Sequence, residues 1–102
     1  MAMLPEAGPA AGGNRAIVTV IGVDRVGIIA AVATMLAEAQ VNILDISQSI
    51  MQEFFVMIMM VDLARSPSGF DELKAALNER GNAMGLKIDI QREDVFKLMH
   101  RV

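Results

Sequence analysis

The sequence holds no cysteine, no tryptophan and no tyrosine, and a single histidine. Without cysteine there is no disulfide, no thiolate metal site and no cysteine nucleophile, a composition that suits a reducing cytoplasm. His100, the one histidine, sits at the C-terminal end and reads as an exposed terminal residue. Zinc would lack the nitrogen and sulfur ligands it prefers, barring a site made of carboxylates alone. Aromatic residues are limited to Phe54, Phe55, Phe70 and Phe96. A single-strand nucleic-acid binder needs several stacking rings on a basic surface, and the formal charge here is −3. No apolar run spans a membrane, because Asp24 and Arg25 interrupt the best candidate. The opening MAMLPEAGPAAGGN has neither a basic start nor an apolar h-region, so it is no secretory signal. Its Ala, Gly and Pro content predicts a disordered tail over residues 1–14.

What the chain does hold is apolar. Hydrophobic residues make up 54% of 102 positions, with a mean hydropathy of +0.45. That length suits one domain, residues 15–102. So apolar a small domain is expected to hide part of its surface against a second subunit. Residues 15–21, RAIVTVI, are β-branched and apolar on both faces, as in a central strand. Residues 28–39 are alanine-rich, with Ile28, Val32, Met35, Leu36 and Ala39 at helical spacing. Residues 41–50 alternate, with Leu44, Ile46 and Ile50 on one side and Asp45, Ser47 and Ser49 on the other, predicting a half-exposed strand. FFVMIMMV, 54–61, predicts a buried strand, and the polar pair Gln52-Glu53 is where the chain should reverse.

Beyond the loop ARSPSG, Ser68 and Asp71 have capping-box spacing, and Phe70, Leu73, Leu77 and Met84 mark a helical face closed by Gly81 or Gly85. LKIDIQ, 86–91, alternates as an edge strand, and EDVFKLMHRV is charged as a short terminal helix prefers. The order β-α-β-β-α-β is that of an α+β, ferredoxin-like sandwich: a four-stranded antiparallel sheet with two helices on one face. That topology places the first and third strands at the centre. Those are the two that read apolar on both faces. Helices on one face leave the other uncovered, so a homodimer is expected, packed either face to face or edge to edge.

The stretch GVDRVGI, 22–28, joins the first strand to the first helix. Gly22 and Gly27 have the spacing that opens a P-loop, but Ile28 and Ile29 stand where Lys and Ser or Thr are required. Asp24 would repel a phosphate. A zwitterion fits better. Free amides at Ile28, Ile29 and Ala30 favour a carboxylate, Asp24 can accept from an ammonium, and Gly27 lets the backbone come close. Asp24 serves equally well as an acceptor for the amides of its own turn, and Arg25 reads as a solvated side chain rather than a clamp.

These residues resemble the ACT domain, the amino-acid-sensing module attached to many biosynthetic enzymes. The resemblance lies in Asp24-x-x-Gly27 after the first strand, the apolar helix that follows, and Val41-Asn42-Ile43 opening the second strand. It covers residues 15 to about 93. The whole chain is similar to small standalone bacterial and archaeal ACT proteins, and to the N-terminal domains of formyltetrahydrofolate deformylase and the glycine-cleavage repressor. The resemblance implies a small-molecule pocket, for an amino acid, between the first loop of one subunit and the second strand of a neighbour. Asp24, Arg25, Val26, Gly27 and Ile28 would form one wall, and Asn42 and Ile43 the other. Val26 replaces a frequent proline and leaves the loop less stiffened. Asn42 serves equally well as a purely structural loop cap.

Two functions compete: a regulatory amino-acid-binding module with a possible regulated protein partner, and an oligomerisation or docking domain without ligand. Acylphosphatases share the fold class, but the neighbours of Arg25 do not match their phosphate loop. Asp45, Asp62 and Asp89 stand on separate elements with no sign of a paired acid site, so a third reading, an enzyme in its own right, has little support. Met51, Met57, Met59 and Met60 read as core and interface filler.

Overall fold

The computed structural model describes residues 14–99. Along the chain these form β1 (Arg15–Val23), α1 (Ile28–Glu38), β2 (Asn42–Met51), β3 (Phe54–Asp62), α2 (Phe70–Ala83), β4 (Lys87–Arg92) and α3 (Glu93–Met99). The strands make one sheet in the order β2-β3-β1-β4, antiparallel throughout. The two strands that read apolar on both faces are the central pair, and the two alternating ones are the edges. His100 lies outside the described residues. So does the expected tail, except for Asn14, whose carbonyl accepts from the Leu63 amide at 2.8 Å.

Parity decides what each strand buries. Ala16, Val18 and Val20 of β1 stand opposite Val61, Met59 and Met57 of β3. With Ile88 and Ile90 of β4 they form the helix-side floor of the core. Onto it α1 lays Ile28, Val32, Met35 and Leu36, and α2 lays Leu73 and Leu77. The core is thus the set of residues that the helical and strand periodicities select.

Both helices end in the same device. After α1, the Val41 amide reaches the Leu36 carbonyl and the Gln40 amide reaches Ala37, with Gln40 at φ 59°. After α2, Leu86 reaches Gly81 and Gly85 reaches Asn82, with Gly85 at φ 76°. These are Schellman closures, and Gly85 is the glycine that ends α2. Gly81 stays inside the helix, where a Cβ would stand 2.8 Å from Ile88 Cγ1. Its absence lets α2 lie against β4.

Two expectations need correction. The α2 cap is Gly69, one residue after Ser68: its amide donates to Glu72 Oε1 at 3.2 Å, while a glycine offers no side-chain acceptor in return. And β2 is not half-buried. Every residue from Leu44 to Met51 is exposed. Ile46, Gln48 and Ile50 do face the helix side, opposite Met59, Met57 and Phe55, but α1 lies too far inboard to cover them. Leu44 belongs to neither row. It is the extra residue of a bulge between Ile43 and Asp45. The reversal at Gln52-Glu53 is as expected, a two-residue link between paired Met51 and Phe54.

Candidate functional site

β1 delivers the chain to one end of the sheet at Val23, and Asp24 to Gly27 carry it back over the helix side. The loop is fixed at both ends. The Asp24 amide donates to the Glu53 carbonyl in the β2–β3 hairpin at 2.8 Å. An Nη of Arg25 donates to the carbonyl of Met84, the C-cap of α2. Gly27 then takes φ 94°, a left-handed value that a side chain tolerates poorly, and serves as N-cap of α1.

A glycine N-cap has no side chain to give. The first intrahelical bond is Ala31 to the Gly27 carbonyl at 2.9 Å, which leaves the amides of Ile28, Ile29 and Ala30 without helical acceptors. Nor does α1 carry an acid in its first turn, whereas α2 has Asp71 and Glu72 and α3 has Glu93 and Asp94. The positive end of α1 is left without an internal counter-charge.

Asp24 stands at the edge of this end. Its carboxylate accepts no hydrogen bond among the described residues. Those of Asp45, Asp62, Asp89 and Asp94 each accept a backbone amide one or two positions on. Acceptor and donors sit beside a groove of about 530 Å³. One wall is Asp24, Arg25, Gly27 and Ile28, and the other is Gln48 and Ile50 of β2 in the same chain. Phe55 reaches the groove from β3. Chemically this offers one exposed anion, a set of free amide donors, and an apolar flank.

Of the expected site residues, the structure brings Asp24, Arg25, Gly27 and Ile28 together, and Val26 points fully into solvent. Asn42 and Ile43 are at the opposite end of β2, paired with Asp62 and Val61. Asn42 lines a separate hollow with Gln40 and Arg65. Some seven strand residues, or roughly 25 Å, separate them from the loop, so they could meet it only from a neighbouring chain. Gln48 and Ile50 are the residues that sequence reasoning missed. The signal was present: a reversal at Gln52-Glu53 sets the last residues of β2 beside the end of β1, and Ile50 already read as inward. Among the described residues no group of three or more His, Asp or Glu side chains could hold a metal ion.

A family model described as the ACT domain matches residues 14–91. The chain is 56% identical over 88 residues to a UPF0237 protein of Clostridium acetobutylicum, covering 86% of this chain and 99% of that one. Its fold matches the solved structure of an ACT domain protein from Streptococcus pneumoniae at a TM-score of 0.74 and 35% identity, over 83% of this chain and 96% of that one. It also matches a structure described as a glycine cleavage system transcriptional repressor, at a TM-score of 0.68 and 25% identity, over 78% of this chain and 45% of the other.

Proposed function

We propose that this chain, which belongs to the ACT-domain family, is a regulatory module that takes up a free α-amino acid at the turn between β1 and α1. The observation that carries the reading is the Asp24 carboxylate, without a partner among the described residues, beside the uncapped N-terminus of α1. An α-amino acid presents an ammonium and a carboxylate on adjacent atoms. The ammonium would meet Asp24, and the carboxylate the amides of Ile28, Ile29 and Ala30. Gly27 keeps the approach open, since no atom lies within 4 Å of where its Cβ would be. Gln48 and Ile50 would flank the ligand's side chain, and Asn42 and Ile43 would join from a neighbouring chain.

No catalytic role is part of this reading. Arg25, the residue placed as a phosphate-loop arginine would be, is engaged with Met84. The occupied state would act through a regulated protein partner, in the cytoplasm, where free amino acids are pooled and a chain without cysteine is at home. The chain would work as a homodimer. The competing reading, an assembly domain without ligand, draws on the exposed apolar surface of the sheet.

Thermal unfolding in the presence of each common amino acid, up to millimolar concentration, tests the proposal. A ligand at a hundred times its Kd adds about 2.7 kcal/mol to the folded state, a shift of several degrees. Selective stabilisation by one amino acid or a few is expected. No shift with any of them would leave the assembly domain as the answer.

A further inference from the structure

We propose that Gln48 selects the ligand of the loop groove, and that it selects a neutral amino acid whose side chain carries a carboxamide at the end of two methylenes, as glutamine does. This rests on the amino-acid site proposed above and names what that site would hold. The helix-side row of β2 is Ile46, Gln48 and Ile50, opposite Met59, Met57 and Phe55 of β3. Beyond them on the same side stand Val18 and Val20 of β1 and Ile88 and Ile90 of β4. Gln48 is the one carboxamide among the helix-side strand positions. Exposure does not account for it. Its row neighbours Ile46 and Ile50 are 42% and 58% exposed and are apolar all the same. The Gln48 side chain makes no hydrogen bond among the described residues.

Strand register sets how far a ligand must reach. The groove of about 530 Å³ runs from Asp24 and the first turn of α1 to β2, which lines it with Ile50 and Gln48. Ile50 is level with Gly22 through their common partner Phe55, and so lies close to the loop. Gln48 is level with Val20 through Met57. That is two residues, or roughly 7 Å, further from the loop. An amino acid held by its charged groups at Asp24 and the α1 amides meets Ile50 with its first side-chain carbons. Alanine or serine ends there. A side chain with two methylenes lays them along Ile50 and Phe55 and brings its tip to Gln48.

The chemistry of the tip follows from Gln48 and from the charges around it. A carboxamide offers an acceptor oxygen and a donor NH2. A ligand carboxamide presents the same two groups in reverse order, so two hydrogen bonds form side by side. A methionine tip of similar length would displace water from Gln48 and return no hydrogen bond. A glutamate tip accepts from the Gln48 NH2 but sets a charged oxygen against the Gln48 oxygen. The charged residues lining the groove are Asp24 and Arg25, and Arg25 is turned to the Met84 carbonyl. The lining therefore offers a second carboxylate no free cation. Nor does it offer a lysine tip a second acid, since Asp24 is engaged by the ligand's own ammonium.

Calorimetry with glutamine, glutamate and methionine, three side chains of similar length and different tips, tests this. Two neutral hydrogen bonds in a half-wet groove correspond to roughly a tenfold to thirtyfold preference in Kd. Wild type should bind glutamine tighter than the other two by about that factor. Gln48→Leu should lose the preference: glutamine weakens about tenfold and methionine binds at least as well as before. Gln48 is exposed, so the variant should fold, with far-UV circular dichroism as the check, and the wild-type series stands without it. Asp24→Asn should weaken all three ligands alike. If methionine or glutamate matches glutamine on wild type, or if a folded Gln48→Leu keeps the preference, Gln48 does not select and this inference fails. The amino-acid site itself then survives, provided Asp24→Asn weakens whichever ligand binds. Binding of serine or alanine alone overturns the reach argument and leaves the site standing. Binding of no amino acid at all overturns both.

Discussion

The guanidinium of Arg25 donates to the carbonyl of Met84, 59 positions further along the chain, at 2.5 Å. Met84 caps α2, so the bond sets a cation against the negative end of that helix and pins the β1–α1 loop to it. Arg25→Ala should therefore lower stability by about 0.3–1 kcal/mol, the range for an exposed helix-end charge. It should also speed amide exchange across residues 24–30 more than elsewhere. Denaturant unfolding and hydrogen exchange measure the two effects. Unchanged loop exchange would mean that the hairpin contact at Glu53 suffices to hold the turn.

Gln52 carries a different cost. It opens the two-residue link of the β2–β3 hairpin at φ 59°, a region where glycine and asparagine sit more easily. Relief of about 1 kcal/mol in the folded chain is offset in part by the greater freedom of an unfolded glycine. Gln52→Gly should stabilise by roughly 0.5 kcal/mol, a rise of a few degrees in Tm for a chain of this size. Gln40, also at φ 59°, offers the same test at the end of α1.

Gly81 runs the other way. Alanine normally gains about 1 kcal/mol over glycine inside a helix. Here its methyl would stand 2.8 and 2.9 Å from Ile88 Cγ1 and Cδ1 and 3.1 Å from the Leu86 carbonyl. The Ile88 side chain could turn, but it is fully buried and packed. Overpacking costs typically 1–3 kcal/mol, so Gly81→Ala should destabilise by up to about 2 kcal/mol despite the better helix former. A gain measured by chemical denaturation would show that α2 can retreat from β4.

The sheet order was legible because apolar alternation and topology select the same two central strands, and the core because 3.6- and 2-residue periods point at it. β2 defeated the same reasoning. Alternation reports which side of a strand is apolar, not whether a helix covers that side, and Ile46 and Ile50 face the helix layer while remaining in water. The bulge at Leu44 also shifts parity by one, which no local signal announces. The loop was readable from Asp24 and Gly27, since left-handed backbone at a helix start leaves few residue choices. Gln48 was not, because its place in the groove depends on hairpin register. Asn42 read as part of the wall by resemblance, and only the strand pairing reveals how far along β2 it lies.

Acid stability should report on Glu93. Its carboxyl is held below the ordinary glutamate range, first by the hydrogen bonds from Arg15 and then by the charges of Arg15 and Lys97, against the opposing effect of burial. A carboxylate whose folded value is depressed contributes stability that is fully present above its unfolded value. That contribution is lost as the pH falls below about 4.3 and on through the folded value. Glu93→Gln should be less stable at neutral pH and flatter on the acid side, and the gap to wild type should close as pH falls. Part of the slope should remain, because Asp89 is lowered in the same sense by its hydrogen bond from Lys74. Thermal scans from pH 3 to 7 on both proteins measure it, and parallel curves would mean that the Arg15 fork contributes nothing to folding.

The sharpest test falls on Asp24. Its carboxylate has no partner among the described residues, so the folded chain loses little when the charge goes. Asp24→Asn keeps the shape and the backbone bond to Glu53, which the side chain does not make. Stability should stay within about 0.5 kcal/mol of wild type, as for a surface substitution away from special features. A bound amino acid would lose far more. A charge-assisted hydrogen bond to its ammonium is worth about 1.5–3 kcal/mol when sheltered, or roughly ten- to a hundredfold in Kd. Calorimetry on wild type and Asp24→Asn, with the amino acid that most stabilises the wild type, separates the cases. Weaker binding at unchanged stability places the ammonium at Asp24. If Asp24→Asn instead unfolds more easily, the carboxylate serves the turn. Tight binding indifferent to the substitution would move the ligand to another part of the molecule.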